Sequence, residues 1–206
     1  TNIARKIAGK KTAVGIITLE TNAEGIALRL LASETQLSMD TIKLNANDYK
    51  DRIGEAIKKL NELNIYIYQK SANITNVKRA MRNLVNEKKC KIIIIDYVQL
   101  MVLDNDTSRV ETLAKISQEL KAIAKELNVP IIVLAQLSRD ADEGRPKLKD
   151  LQWSSQLEQD ADAVIMIHTN TNGSELIIEK NRDGAIGIVE MSFDKATVTW
   201  KDIDWR

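Results

Sequence analysis

Three polar residues of this chain each follow an apolar, strand-like run. Glu20 ends the run TAVGIITLE, Asp96 ends KIIIID and Gln136 ends VPIIVLAQ. A carboxylate in the position of Asp96 could orient a magnesium-bound water, and one in the position of Glu20 could act as a general base on an attacking water. The amide of Gln136 can both donate and accept a hydrogen bond, so it could sense a γ-phosphate.

The same residues also have purely structural interpretations. Asp96 could cap the next element or mark a turn, and Glu20 could be an acid stabilised at the N-terminus of a helix. Gln136 could be a strand-end amide bonded to backbone. The residue types alone leave these alternatives open.

The elements that carry these residues alternate along the chain. Apolar stripes at helical spacing predict helices over residues 1–9, 22–36, 48–63, 73–89 and 108–128. Apolar or alternating runs predict strands over residues 12–20, 64–69, 91–96, 129–136 and 160–170, with antiparallel strands across 174–200. We therefore predict an α/β fold, in which a mostly parallel twisted sheet has helices on both faces and an antiparallel β extension at its C-terminal end. Ligands bind such sheets at the carboxyl ends of the strands, where the three polar residues lie.

Composition narrows the class of protein. With 44% hydrophobic and 29% charged residues over 206 positions, the chain is suited to one folded domain rather than to disorder. The net charge of +1 means that any binding to nucleic acid must come from a local patch. Cys90 is the single cysteine, which excludes an internal disulfide and fits a cytoplasmic protein. We recognise neither a membrane span nor a secretion signal, and one histidine, His168, does not make a zinc site.

Six segments occur in an order that identifies a family. They are KIIIIDYVQLM, the helix after it, ELNVPIIVLAQLSR, EGRPKLKDL, LEQDADAVIMI and IIEKNRDGAIGIVEMSF. Together they resemble the motor domain of the bacterial replicative DNA helicase of the DnaB type, a RecA-like three-layer domain. TLETNAEGIALRLLA resembles the family's segment around its catalytic glutamate.

The resemblance implies a role for each candidate residue. Glu20 matches the catalytic glutamate, Asp96 the aspartate of the magnesium site, and Gln136 the glutamine that relays the nucleotide state toward DNA. Lys180 and Arg182 match the basic pair that reaches the ATP of the neighbouring subunit, with Arg182 as the arginine finger. Without the family, a solvated hairpin edge, where Lys and Arg discourage aggregation, is the favoured interpretation of this pair. The resemblance further implies ATP and Mg²⁺ as cofactors, single-stranded DNA as substrate, a hexameric ring, and a primase and a helicase loader as partners.

The phosphate loop of the family is missing from these 206 residues. No G-x-x-x-x-G-K-[ST] occurs, and the Gly9–Lys10 pair has no upstream glycine frame. We expect residues 1–206 to form a single RecA-like domain whose first strand and phosphate loop lie upstream of Thr1. On that expectation, this chain alone binds ATP poorly or not at all.

A second departure concerns DNA. Where the family has an Arg-Glu-x-Gly run, this chain has QWSS at residues 152–155. Gln152 could donate to phosphate and Trp153 could stack on a base, although a partly buried surface anchor is the favoured interpretation of Trp153. The basic residues expected to add a positive patch are Arg139, Arg145, Lys147 and Lys149, and they are offset by Asp140, Asp142, Glu143 and Asp150.

Two classes of function are compatible with these departures. One is an ATP-driven helicase motor that translocates on single-stranded DNA and unwinds duplex as a ring. The other is a catalytically inactive helicase-like module that docks onto a helicase ring or acts as an oligomeric scaffold. The segments LEQDAD and KNRDG argue against a third possibility, another RecA-like ATPase such as a recombinase.

Overall fold

Four short strands rich in β-branched residues form a parallel sheet. The computed structural model describes residues 1–69, 72–103, 108–138, 144–151, 155–171 and 173–203. The strands are β1 (Val14–Thr18), β2 (Ile65–Gln69), β3 (Ile92–Asp96) and β4 (Ile131–Val133), arranged in the order β2-β1-β3-β4. The central strands β1 and β3 are rich in isoleucine and largely buried, as expected when both faces of a sheet are covered.

The register of β1 and β3 brings their carboxyl ends to one edge of the sheet. Thr18 lies opposite Asp96, and the pairing extends back through Ile17 and Ile95. The backbone N–H of Leu19 continues the ladder by donating to the carbonyl of Asp96 at 2.7 Å. The residues that follow Thr18 are therefore held beside the end of β3.

Seven helices lie in the described part of the chain. They are α1 (Asn2–Ala8), α2 (Ala23–Thr35), α3 (Met39–Leu44), α4 (Lys50–Asn61), α5 (Ile74–Asn86), α6 (Arg109–Leu127) and α7 (Ser155–Asp160). Asn22, Asn73 and Ser108 begin α2, α5 and α6 by accepting hydrogen bonds from first-turn backbone N–H groups. Gln36 and Asn128 end α2 and α6 in the left-handed conformation that asparagine tolerates better than most residues.

Helices cover both faces of the parallel sheet. On one face, Ile17, Ile93 and Ile95 pack with buried residues of α5 and α6. On the other face, Val14, Ile16 and Ile94 pack with α1 and α2. The alternation of side chains along each strand sends neighbouring isoleucines into different cores. The predicted three-layer α/β architecture is confirmed.

The C-terminal strands form an antiparallel sheet of four. These strands are β5 (Ala163–Asn170), β6 (Gly173–Asn181), β7 (Gly187–Asp194) and β8 (Thr199–Asp202), in sequential order. Within the described residues these four strands pair only with one another, so the extension is a sheet of its own. The end near β8 is tied to the helices, since Asn2 Nδ2 donates to the Val198 carbonyl at 2.8 Å and Thr199 Oγ1 donates to Ser33 Oγ at 3.2 Å.

Several boundaries differ from the prediction. The strand predicted over 129–136 covers Ile131–Val133, and the helix predicted over 48–63 covers Lys50–Asn61. The short helices α3 and α7 were not predicted, because six residues are too few to display a clear apolar stripe. Among the described residues, no helix is both long and apolar enough to span a membrane.

Candidate functional site

The carboxyl edge of the parallel sheet brings Asp96 and Glu20 to the same region. Asp96 ends β3 opposite Thr18, and Glu20 lies two residues beyond Thr18. Thr18 is 1% exposed, and its hydroxyl donates to the carbonyl of Thr21. This buried contact fixes the turn that carries Glu20. The sequence did not indicate a role for Thr18, and its position becomes clear only from the sheet register.

Neither carboxylate is engaged within the described chain. Asp96 is half-buried and Glu20 is exposed, and in the described ranges neither side chain makes a hydrogen bond or ion pair. A half-buried carboxylate with free oxygens suits an outer-shell magnesium contact, because Mg²⁺ usually keeps several of its waters. The described residues contain no cluster of three or more acidic, histidine or cysteine side chains that could hold a metal ion.

Helix α1 begins next to this edge. Thr1, which precedes α1, is half-buried and lies near the carboxylate of Asp96. The backbone that enters α1 therefore lies within electrostatic range of Asp96. The apolar side of α1 holds it there, since Ala4 and Ala8 are buried against the sheet.

Gln136 is held by a residue that the sequence did not single out. The side-chain amide of Gln99 donates to the Gln136 carbonyl at 3.0 Å, and its oxygen accepts from the Gln136 N–H at 3.1 Å. Gln99 is 3% exposed, whereas Gln136 is exposed. The part of Gln136 that is bonded here is thus its backbone, whereas the structural interpretation had its side-chain amide bonded to backbone. The Gln136 side chain is exposed at the carboxyl edge. Gln99 belongs to the run KIIIIDYVQLM, which is the one signal that could have drawn attention to it.

Lys180 and Arg182 lie at the end of β6 and contact their own subunit. The Lys180 ammonium donates to the carbonyl of Glu158 at 2.6 Å and to that of Gln159 at 3.2 Å, at the C-terminal end of α7. Arg182 Nη1 donates to Asp162 Oδ1 at 2.8 Å. Within the described chain neither basic residue makes a hydrogen bond or ion pair with Glu20 or Asp96.

Asp162 forms ion pairs with basic residues from two elements. Lys121 of α6 donates to its Oδ2 at 2.6 Å, and Arg182 binds its Oδ1. The hydrogen bond from Lys121 is the main cause that lowers the pKa of Asp162, and the charges of Arg182 and Lys180 act in the same direction. Asp162 lies in the family segment LEQDADAVIMI, but its ion pairs depend on tertiary contacts that the sequence does not reveal.

The candidate DNA residues fall into two groups. Arg139, Gln152 and Trp153 lie outside the described residues. Lys147 and Lys149 are exposed. Lys147 precedes a short 3-10 turn, Leu148–Asp150, and Lys149 lies within it. The segment closes on itself, because the Ser138 N–H donates to the carbonyl of Asp150 at 2.7 Å.

Arg145, the remaining candidate in this segment, forms an ion pair with a carboxylate. Its Nε and Nη2 atoms donate to the two oxygens of Glu175 at 2.7 and 2.9 Å. This fork lowers the pKa of Glu175, chiefly through the side-chain hydrogen bond. Arg145 therefore joins the segment after β4 to strand β6, which the sequence interpretation as a phosphate contact did not anticipate.

Comparison with known proteins decides the family. The model of the DnaB-like helicase C terminal domain matches residues 1–202. The chain belongs to this family. The predicted resemblance is thereby confirmed, and the RecA-like fold is the fold of DnaB-like ATPase domains.

Relatives and solved structures agree with the DnaB-like assignment. The chain is 36% identical to the replicative DNA helicase DnaB of Treponema pallidum over 80% of this chain and 39% of the relative. It is 33% identical to that of Geobacillus stearothermophilus over 94% of this chain and 47% of the relative. The chain thus spans less than half the length of these curated relatives.

Two solved structures match almost the whole chain. A solved ATPase domain superposes with a TM-score of 0.89 at 29% identity, over 98% of this chain and 78% of that one. A DnaB-like replicative helicase, described with its interactions with primase, superposes with a TM-score of 0.87 at 29% identity, over 98% and 53% of the two chains.

Proposed function

We propose that this chain is the motor part of an ATP-driven replicative DNA helicase that translocates on single-stranded DNA and unwinds duplex as a ring. The observation that carries the proposal is the carboxyl edge of the parallel sheet. Asp96 and Glu20 lie there, and neither carboxylate is engaged by the part of the chain that the structure describes. In an α/β sheet, this edge is where phosphate ligands are bound.

One subunit supplies the hydrolytic half of the site. Asp96 would orient a magnesium-bound water, and Glu20 would take the proton of the attacking water as general base. Gln136 would face the γ-phosphate with its exposed amide, while Gln99 holds its backbone in place. ATP with Mg²⁺ supplies the transferable phosphoryl group and the metal charge that assists its departure.

The neighbouring subunit supplies the cationic half. Lys180 and Arg182 make no described contact with their own Asp96, and the Arg182 side chain is 54% exposed. A head-to-tail interface can bring such a residue to the next subunit and close into a ring. We propose a homohexamer that works in the cytoplasm, with a primase and a helicase loader as partners.

The phosphate loop is proposed to lie upstream of Thr1. The chain spans less than half the length of the curated relatives that it matches, which leaves room for this loop. Residues 1–206 then form a single RecA-like domain together with that upstream strand and loop. The chain without them is expected to bind ATP weakly.

The DNA contact is proposed for the segment between β4 and α7. Lys147 and Lys149 are exposed cations of this segment, and Arg139, Gln152 and Trp153 remain predictions from the sequence. Arg145 has a structural role in this proposal, because its guanidinium is taken up by Glu175. The candidate DNA residues follow Gln136 directly in the chain, so a movement of Gln136 in response to the nucleotide would be passed to them through a short stretch of backbone.

The decisive experiment replaces Arg182 by alanine in the complete protein, including the residues upstream of Thr1. Loss of an arginine finger is expected to lower kcat for ATP by about 10³- to 10⁵-fold while ATP binding stays within a few-fold of wild type. Hydrolysis near the wild-type rate in Arg182→Ala would contradict the finger assignment. A wild-type protein with no ATP turnover would favour the inactive module that docks onto a helicase ring.

A mixing experiment tests whether the site is shared between subunits. Arg182→Ala and Asp96→Ala subunits are each expected to be inactive in pure rings. In mixed rings, an Arg182→Ala subunit followed by an Asp96→Ala neighbour forms one intact interface, so ATP turnover should partly return. No recovery at any mixing ratio would argue for a site within one subunit.

A further inference from the structure

Asp162 lies between Lys121 and Arg182 and binds each with a different oxygen. Lys121 Nζ lies 2.6 Å from Oδ2, and Arg182 Nη1 lies 2.8 Å from Oδ1. Asp162 belongs to the connection between α7 and β5, whereas Lys121 belongs to the long helix α6. The carboxylate therefore connects the Arg182 turn to a helix of the parallel-sheet layer.

The backbone of the turn is fixed at the same place. The Arg182 N–H donates to the Asp162 carbonyl at 2.8 Å, so Asp162 holds Arg182 through both its main chain and its side chain. Lys180 is bonded to the last carbonyls of α7, and Asp160 of α7 accepts from Ser117 Oγ of α6 at 2.6 Å. The turn that carries Arg182 is thus linked to α6 at two places, through Asp160 and Ser117 and through Asp162 and Lys121.

Only one end of the Arg182 guanidinium is used by this arrangement. A guanidinium has five N–H donors in a planar fork. Asp162 takes up Nη1, and the part of the chain that the structure describes offers no side-chain partner to Nε or Nη2. With 54% of the side chain exposed, the rest of the fork faces outward.

We propose that Asp162 is a positioning residue for Arg182, holding one end of the guanidinium so that the other end is presented to the nucleotide of the neighbouring subunit. This inference rests on the proposed function and concerns the same shared site. A free arginine samples many rotamers, and a fixed first contact removes much of that freedom before the transition state forms. Lys121 has the supporting role of orienting the carboxylate.

The experiment compares steady-state ATP hydrolysis by the complete protein and its variants. Asp162→Ala is expected to lower kcat about tenfold with KM for ATP within about twofold, because the lost contact matters in the transition state rather than in substrate binding. Asp162→Glu should recover most of the lost kcat, since it keeps the charge and can still reach Nη1. In an Arg182→Ala background, Asp162→Ala should have no further effect, because the group that it positions is absent.

Glu126→Ala is the matched control. Glu126 accepts a forked pair from Arg82 at 2.8 and 2.9 Å, so the variant also removes an exposed ion-paired carboxylate, on helix α6. Its kcat should equal that of wild type. If Asp162→Ala fails to fold or to assemble, as judged by circular dichroism and size-exclusion chromatography, Asp162→Asn gives the same comparison with the side-chain shape retained.

The outcomes separate the inference from the proposed function. Wild-type turnover with unchanged kcat in Asp162→Ala overturns the inference and leaves the proposed function intact. An equal loss of kcat in the wild-type and Arg182→Ala backgrounds also overturns it, because Asp162 would then act independently of Arg182. Absence of turnover in the wild-type complete protein overturns the proposed function, and the inference with it.

Discussion

Gln99 and Gln136 are joined by two hydrogen bonds between the side-chain amide of the first and the backbone of the second. The Gln99 amide makes the two hydrogen bonds that the backbone of a neighbouring strand would make, since it pairs with both the N–H and the carbonyl of Gln136. The ladder between β3 and β4 runs through Leu134, whose N–H donates to the Ile95 carbonyl at 2.9 Å. Gln99 therefore extends the ordered backbone two residues beyond that point.

Replacing Gln99 by leucine tests this contact. Leucine fills a similar volume but leaves the N–H and carbonyl of Gln136 without their partner, at an expected cost of about 1 to 3 kcal/mol in the free energy of unfolding. Gln136→Ala is the matched control, because it removes only the exposed side chain and should change stability by less than about 0.5 kcal/mol. Urea unfolding followed by circular dichroism measures both. Equal losses in the two variants would show that the Gln99 amide is not the stabilising group.

The contact between Gln99 and Gln136 is also an example of a feature that the sequence does not predict. The isoleucine runs predicted β1 and β3, and because parallel strands share an edge, Asp96 and Glu20 were expected at one place. The amide of Gln99 has no periodic signal, since its two partners lie 37 residues away along the chain. Asp162 lies within a family segment, yet its pairing with Lys121 depends on how α6 lies beside β5. Side chains that bridge elements were missed for this reason, whereas strand ends were found.

Gly15 lies in a crowded position and Gly54 in an open one, and alanine substitutions at these two glycines give a second prediction. A Cβ at Gly15 of β1 would lie 2.7 Å from Ile93 Cδ1 and 3.0 Å from Leu84 Cδ1. Gly15→Ala is therefore expected to destabilise the protein by about 1 to 3 kcal/mol through overpacking. Gly54 lies within α4, and a Cβ there would have no neighbouring atom within 4 Å, so Gly54→Ala should stabilise the protein by about 0.5 to 1 kcal/mol. Thermal unfolding of the two variants should shift in opposite directions, and a shared direction would contradict the packing at β1.

The Arg145–Glu175 pair predicts a dependence of stability on pH. The hydrogen bond from Arg145 lowers the pKa of Glu175 in the folded protein, so the stabilisation is fully present above the unfolded pKa of about 4.3 and is lost as the pH falls through the folded pKa. The difference in unfolding midpoint between wild type and Glu175→Gln should be largest near neutral pH. It should shrink below about pH 4, where the carboxyl of Glu175 becomes protonated.

The nearby His168 offers the competing explanation for that pair. Its Nε2 lies 4.0 Å from Glu175 Oε1, and Glu190 adds a negative charge beside Arg145. If His168 were the main partner of Glu175, His168→Gln would remove the stability difference between wild type and Glu175→Gln, and Arg145→Gln would leave it in place. A difference that survives in His168→Gln and is lost in Arg145→Gln identifies Arg145 as the partner.

Lys147 and Arg145 should differ in their effect on DNA binding by the complete protein. Lys147 is exposed, whereas the charge of Arg145 is already matched by Glu175. If Lys147 contacts a phosphate, Lys147→Ala should reduce the slope of log affinity for single-stranded DNA against log salt by about 0.7. Arg145→Ala should leave that slope nearly unchanged, as should Lys195→Ala, a control lysine in the turn between β7 and β8. Fluorescence anisotropy of a labelled oligonucleotide across a salt series measures the slopes, and a lower slope in Arg145→Ala alone would return the DNA contact to Arg145.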